Sequence, residues 1–278
     1  MRIIGCLLRP ASARVALARL TVLGALAVAF TALAPAVAAA AEGGTGASAD
    51  EGGGSGTAPQ KPGPKPQLIL IHGGSFLYHD PFFRPETRPA AVAEGFQPHY
   101  VDYPLANLPA AVAAARLEAR KLREEVGVEN VYAYGASAGG TLAAILAGEG
   151  DVNAAVAKAP VSDLATWEWP LGRYGSNYYE TILAGPATRQ RLSPYNRVEE
   201  RPLLVIQGRQ DNIVPPAMNE AFAAKFPRVH LWLVPGGHTT ERIRPWIVTG
   251  AMQWLAQLAA PPEKEPEEEE SPPLKSTS

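Results

Sequence analysis

Cysteine is almost absent from this chain. Cys6 is the only one in 278 residues, so an internal disulfide, a zinc-thiolate cluster and a cysteine nucleophile in the folded part are all excluded. Dense basic runs are missing as well. The 25 Lys and Arg face 27 Asp and Glu, for a formal net charge of −2. That balance lacks the electrostatic footprint of a nucleic-acid binder, and no nucleic-acid partner is expected. Histidine is scarce, with five in all, which later narrows the choice of a general base. Apolar residues are not scarce. At 46% of the chain they are ordinary for a globular protein and suffice for a sizeable core.

The charge is unevenly placed. Residues 1–41 contain Arg2, Arg9, Arg14 and Arg19 and no acid, and an uncharged apolar run over 20–41 ends in Ala36-Val37-Ala38 and Ala39-Ala40-Ala41. A basic stretch, an apolar run and small residues at its end are the marks of an export signal. The run is also long enough to serve as an uncleaved anchor, although Pro35 breaks it. The expectation is a secreted or cell-envelope protein with no stable membrane insertion once 1–41 is removed. Ile4-Gly5-Cys6 faintly resembles a lipoprotein cleavage site but precedes the apolar run, so it is set aside.

Residues 42–66 are rich in Gly, Ser, Thr, Ala and Pro and read as a linker, because such a stretch cannot bury apolar surface. Residues 261–278 are rich in Pro and Glu and read as a disordered acidic tail. One folded domain is expected over 67–260, carrying an irregular insert at 161–199.

Within 67–260, short apolar segments alternate with helical patterns. Strands are expected at 67–71, 95–103, 130–134, 153–159, 202–207 and 229–234, and helices at 108–126, 138–147 and 241–258. This alternation predicts a three-layer α/β sandwich, a mostly parallel sheet of about six strands with helices on both faces. The insert holds Trp167, Trp169, Tyr174, Tyr178 and Tyr179. These aromatics either pack a small core of their own or form a wall of the substrate pocket, since binding pockets are often lined by aromatic residues.

The chemistry-bearing residues fall at the ends of the expected strands. Gly135-Ala136-Ser137-Ala138-Gly139 has the G-x-S-x-G pattern, in which a strand turns sharply into a helix and exposes the serine hydroxyl. The flanking positions must be small, or side chains collide across the turn. His72-Gly73-Gly74-Ser75-Phe76 follows the first strand. A glycine-rich turn there brings backbone N–H groups close to a developing oxyanion. Asp211 follows the fifth strand and is placed to orient a histidine. Of the five histidines, His72 belongs to the oxyanion turn, His79 and His99 precede the serine, and His230 lies inside a strand. His238, on the Pro235-Gly-Gly-His238 turn, is left as the general base. Ser137, Asp211 and His238 stand in the chain order expected of an α/β-hydrolase triad, each after its own strand.

With these residues the chain resembles the α/β-hydrolase superfamily. More narrowly it is similar to bacterial carboxylesterases related to hormone-sensitive lipase and to the catalytic domains of prolyl-oligopeptidase-type enzymes. The likeness is carried by His72–Phe76, Gly135–Gly139, Ser193-Pro194 ahead of 202–208, Asp211 with Val214-Pro215, His238, and Asp102-Tyr103-Pro104-Leu105. It implies oxyanion donors at the N–H groups of Gly74, Ser75 and Ala138. Ser75 stands where many of the esterases have a third glycine, so a side chain enters the acyl pocket. The two strands that usually precede the first one here are replaced by the linker, so a reduced sheet is expected. The dedicated cap helices and the propeller domain of the two relatives are also missing.

The resemblance implies hydrolysis of carboxylic esters through an acyl-enzyme on Ser137, a small-molecule ester substrate, and no cofactor or metal. Two alternatives stand beside it: a small-peptide serine peptidase of prolyl-oligopeptidase type, and a catalytically silent exported binding protein on a hydrolase scaffold. Acyl and alcohol specificity and oligomeric state are not legible from the sequence.

Overall fold

The computed structural model describes residues 64–168, 178–196, 201–240 and 244–259. The expected export signal, most of the linker, the acidic tail, Trp169, Tyr174 and the Tyr179 side chain lie outside the described residues.

Six strands form one parallel sheet: β1 (Gln67–Ile71), β2 (Gln97–Val101), β3 (Val131–Ala136), β4 (Ala154–Lys158), β5 (Leu203–Gly208) and β6 (Val229–Val234), in the order β2-β1-β3-β4-β5-β6. The strands are short and apolar for a reason. Every residue of β3, β4 and β5 is buried, as in parallel sheets covered on both faces. The edge strands β2 and β6 carry exposed positions instead.

Helices α1 (Phe83–Ala93), α2 (Leu108–Val126), α3 (Ala138–Gly148), α4 (Pro186–Leu192), α5 (Pro216–Lys225) and α6 (Trp246–Ala259) complete the described elements of regular helix. Two apolar cores divide them between the faces of the sheet. One joins Ile69, Ile71 and Ala133 with the buried sides of α2, α3 and α5. The other joins Leu68, Leu70 and Tyr132 with α1 and α6. The expected three layers are present.

Helix α2 has the bounds that its pattern predicts. The Asn107 side chain accepts a hydrogen bond from the Ala110 N–H at its start, and Gly127, at φ 80°, ends it. Helix α1 escapes a reading by pattern because its sequence, FRPETRPAAVA, contains Pro85 and Pro89. Pro89 has no N–H for the helical ladder. Burial of Phe83, Thr87 and Ala91 against the second core holds the helix together. Helix α6 begins at Trp246 and not at 241, as Pro245 takes the first-turn position that suits its fixed φ.

The strand order fixes where a site can form. From β1 the chain crosses by α1, on one face, to β2. From β3 it crosses by α3, on the other face, to β4. The loops leaving the adjacent strands β1 and β3 therefore part in opposite directions. Such a switch point opens a crevice beyond the carboxyl ends of the strands, where ligands bind in open α/β sheets.

Candidate active site

Ser137 stands at this crevice, between β3 and α3. Its backbone is at φ 55°, ψ −116°, a left-handed region costly for a residue with a Cβ. The conformation is held from several sides. The Ser137 N–H donates to the Lys158 carbonyl at 2.7 Å, and its own carbonyl accepts from the Thr141 N–H at 3.0 Å. The small neighbours are required by contact. A Cβ on Gly135 would lie 2.0 Å from the Gly139 carbonyl oxygen, and one on Gly139 would lie 2.0 Å from that of Ile71.

The structure brings together the three residues that the sequence separates by up to 101 positions. The Ser137 Oγ and His238 Nε2 are 2.9 Å apart, and His238 Nδ1 lies 2.8 Å from Asp211 Oδ2. With the Nδ1–H donated to the carboxylate, Nε2 is left as acceptor for the serine hydroxyl. Asp211 is buried at 6% exposure, and its lone pairs are filled. Oδ1 accepts from the N–H groups of Ile213 and Val214 at 2.9 and 3.0 Å, and Oδ2 also accepts from Gln207 Nε2 at 3.0 Å. Burial pushes this carboxyl up. The hydrogen bond and charge of His238 and the two backbone amides outweigh it, so its pKa sits below the ordinary carboxylate value.

Four residues support the site through hydrogen bonds that the sequence did not foretell. Lys158, buried at the end of β4, donates its Nζ to the His238 carbonyl and ties down that glycine turn. Gln207 is itself oriented, its Oε1 accepting from Asn219 Nδ2 at 2.7 Å. Tyr103 donates its hydroxyl to the His72 carbonyl at 3.0 Å. Tyr178 donates to the Ser75 carbonyl at 2.9 Å, which fastens the oxyanion turn to the insert. The only sequence signal for any of them is position: Lys158 and Gln207 are polar residues within otherwise apolar central strands.

A small pocket opens beside the serine hydroxyl. Ser75, Phe76, Ser137 and Ala138 line it on the turn and elbow side. Leu164, Trp167, Tyr178, Leu183, Ile213 and Val214 supply the apolar wall. Its free room of about 10 Å³ is that of roughly one water molecule. Ser75 and Ala138, two of the three residues implied as oxyanion donors, thus flank the serine. Gly74 does not line this pocket. At φ 112° it shapes the turn, and its carbonyl accepts from the Leu77 and Tyr78 N–H groups. The two readings of the insert aromatics converge at Trp167 and Tyr178. They are buried and pack edge to face at 6.5 Å, and they also wall the pocket.

Known proteins share this fold. The native esterase of the planctomycete Thermogutta terrifontis superposes with a TM-score of 0.61 at 22% identity, covering 75% of this chain and 88% of that one. The chain has the α/β-hydrolase fold. The same esterase with butyrate bound matches this chain at a TM-score of 0.59 and 22% identity, over 75% and 89% of the two chains. The esterase of the archaeon Pyrobaculum calidifontis matches it at 0.59 and 22%, over 73% and 80%. Residues 112–230 match the prolyl oligopeptidase family. No curated protein matches the chain. Among the described residues, no helix of this α/β-hydrolase chain is long and apolar enough to cross a membrane.

Proposed function

We propose that this protein is a serine hydrolase that cleaves carboxylic esters of short acyl groups through an acyl-enzyme on Ser137. The observation that carries the reading is the hydrogen-bonded chain Asp211–His238–Ser137, with its hydroxyl beside a small apolar pocket. His238 takes the Ser137 proton as Oγ attacks the ester carbonyl, then delivers it to the leaving alkoxide. Water reacts with the acyl-enzyme by the same proton path. Asp211 holds the histidine tautomer and stabilises the imidazolium that forms. The backbone N–H groups of Ser75 and Ala138 are assigned as oxyanion donors, with the Gly74 N–H as a third within the same turn. No metal or cofactor takes part in this mechanism.

The pocket supports the short-acyl reading. A pocket with room for about one water matches the methyl of an acetyl group and resists a long chain. The similar Thermogutta terrifontis esterase has propionate bound in one structure and butyrate in another. The prolyl oligopeptidase match favours a second reading, a serine peptidase acting on small peptides. The basic, apolar, small-residue leader at 1–41 supports export, and we place the working protein in the cell envelope or outside the cell.

A panel of p-nitrophenyl esters from acetate to decanoate, run beside aminoacyl-arylamides, tests both readings. Ester turnover that falls with chain length and is lost in Ser137→Ala is the expected result. Turnover of arylamides without esters favours the peptidase, and full ester turnover by Ser137→Ala rejects the site.

A further inference from the structure

We propose that His72, His79 and Asp102 form a binding site for a divalent transition-metal ion of the zinc type. The site shares no lining residue with the pocket beside Ser137 and is separate from the hydrolytic chemistry above. A cleft of about 420 Å³ opens there, lined by these three residues with Asp80, Arg84 and Tyr100. Ser137 is not among its lining residues.

The first argument is the orientation of His72. Its Nδ1 lies 2.6 Å from the Gly73 carbonyl oxygen, which can only accept. Nδ1 therefore carries the proton, and Nε2 presents a lone pair to the cleft. This is how metal-binding histidines are held, with the second ring N–H donated to a backbone carbonyl that fixes tautomer and ring angle. The ring is locked further by stacking on Tyr103, with centroids 4.3 Å apart and planes at 15°.

The second argument is convergence. One donor atom from each of His72, His79 and Asp102 lies within 4.8 Å of the other two. His72 Nε2 and His79 Nδ1 are 2.9 Å apart, joined by one proton, and His79 Nδ1 is 4.0 Å from Asp102 Oδ1. Zinc–nitrogen bonds of about 2.0–2.1 Å set two tetrahedral imidazole nitrogens roughly 3.3 Å apart. An ion between the two imidazoles thus needs the His72–His79 gap to widen by about 0.4 Å, while the exposed Asp102 carboxylate, within 4.8 Å of both nitrogens, must swing closer to complete the set. His72 is fixed, whereas the His79 and Asp102 side chains are 53% and 66% exposed and are free to adjust. Arg84 holds Asp102 Oδ1 at 2.8 Å, but that pair is exposed on both sides, and such pairs yield readily. Two imidazoles and one carboxylate, with water as fourth ligand, suit zinc, cobalt or nickel better than magnesium or calcium.

Titration of chelator-stripped full-length protein with Zn²⁺ in a calorimeter tests the site, with Co²⁺ visible absorption reporting nitrogen ligation. One saturable equivalent is expected, weakened by at least tenfold in His79→Ala and in Asp102→Asn, as even the loss of an outer-shell partner costs roughly 10–100-fold. Both side chains are exposed, so neither variant endangers folding. No saturable binding up to about 1 mM zinc, or equal binding by both variants, overturns the proposal.

Discussion

Two hollows take residues from the turn that leaves β1, His72 in one and Ser75 and Phe76 in the other, and they are built on opposite principles. The one beside Ser137 has about 10 Å³ of room and an apolar wall of buried side chains. Its polar side chains are few, and the Ser137 and Tyr178 hydroxyls are hydrogen-bonded. The one beside His72 has about 420 Å³ and is lined by exposed His79, Asp102 and Arg84, whose interactions are loose. The difference teaches where rigidity is kept. A group that must stabilise developing charge is worth most when fixed in advance in a dry site. A ligand-binding cluster tolerates adjustment on one side provided the other side is fixed, as His72 is.

That contrast can be broken by substitution. Ser137→Ala is expected to lower ester turnover by about 10⁴-fold or more, with folding intact, as loss of the nucleophile does in serine hydrolases. Steady-state kinetics beside circular dichroism checks it. Asp211→Asn is expected to cost roughly 10³–10⁴-fold in kcat, since the histidine tautomer is no longer held. Trp167→Ala removes a buried pocket wall. It is expected to destabilise the fold by about 3–5 kcal/mol and to shift the preferred ester toward longer acyl chains, read as a change in kcat/KM ratio between acetate and hexanoate. If Trp167→Ala leaves the chain-length profile unchanged, the pocket beside Ser137 is not the acyl site.

The smallest expected effect is on pH and stability. Asp211 has a folded pKa below its unfolded value, so its contribution is present above the ordinary carboxylate pKa, about 3.9, and is lost as pH falls through the lowered value. The Tm difference between wild type and Asp211→Asn is therefore expected to be full above pH ~4 and to shrink below it. A difference that grows on acidification contradicts the assigned hydrogen bonds.

The sheet was largely legible, because each buried parallel strand is a short apolar run and each such run is a strand. Helix α2 was legible to the residue from its pattern and the closing Gly127, and the structure adds the Asn107 cap. Helix α1 was not, because Pro85 and Pro89 hide a helix that tertiary burial stabilises. In the site, Ser137, Asp211 and His238 were legible because sharp turns need glycines and those glycines make motifs. Lys158 and Gln207 were not, nor were the hydrogen bonds of Tyr103 and Tyr178, although Tyr178 was named as a possible pocket wall. Their roles depend on distances across the sheet that no local pattern encodes. His79 was set aside as a base by chain order, and the structure pairs it with His72 instead.

Labelling of the folded full-length protein with a fluorophosphonate, followed by peptide mapping, tests the central claim most directly. A single adduct on Ser137, abolished by Ser137→Ala and strongly slowed by Asp211→Asn, is the predicted result. Absence of labelling on folded protein, or an adduct on another residue, would contradict the account.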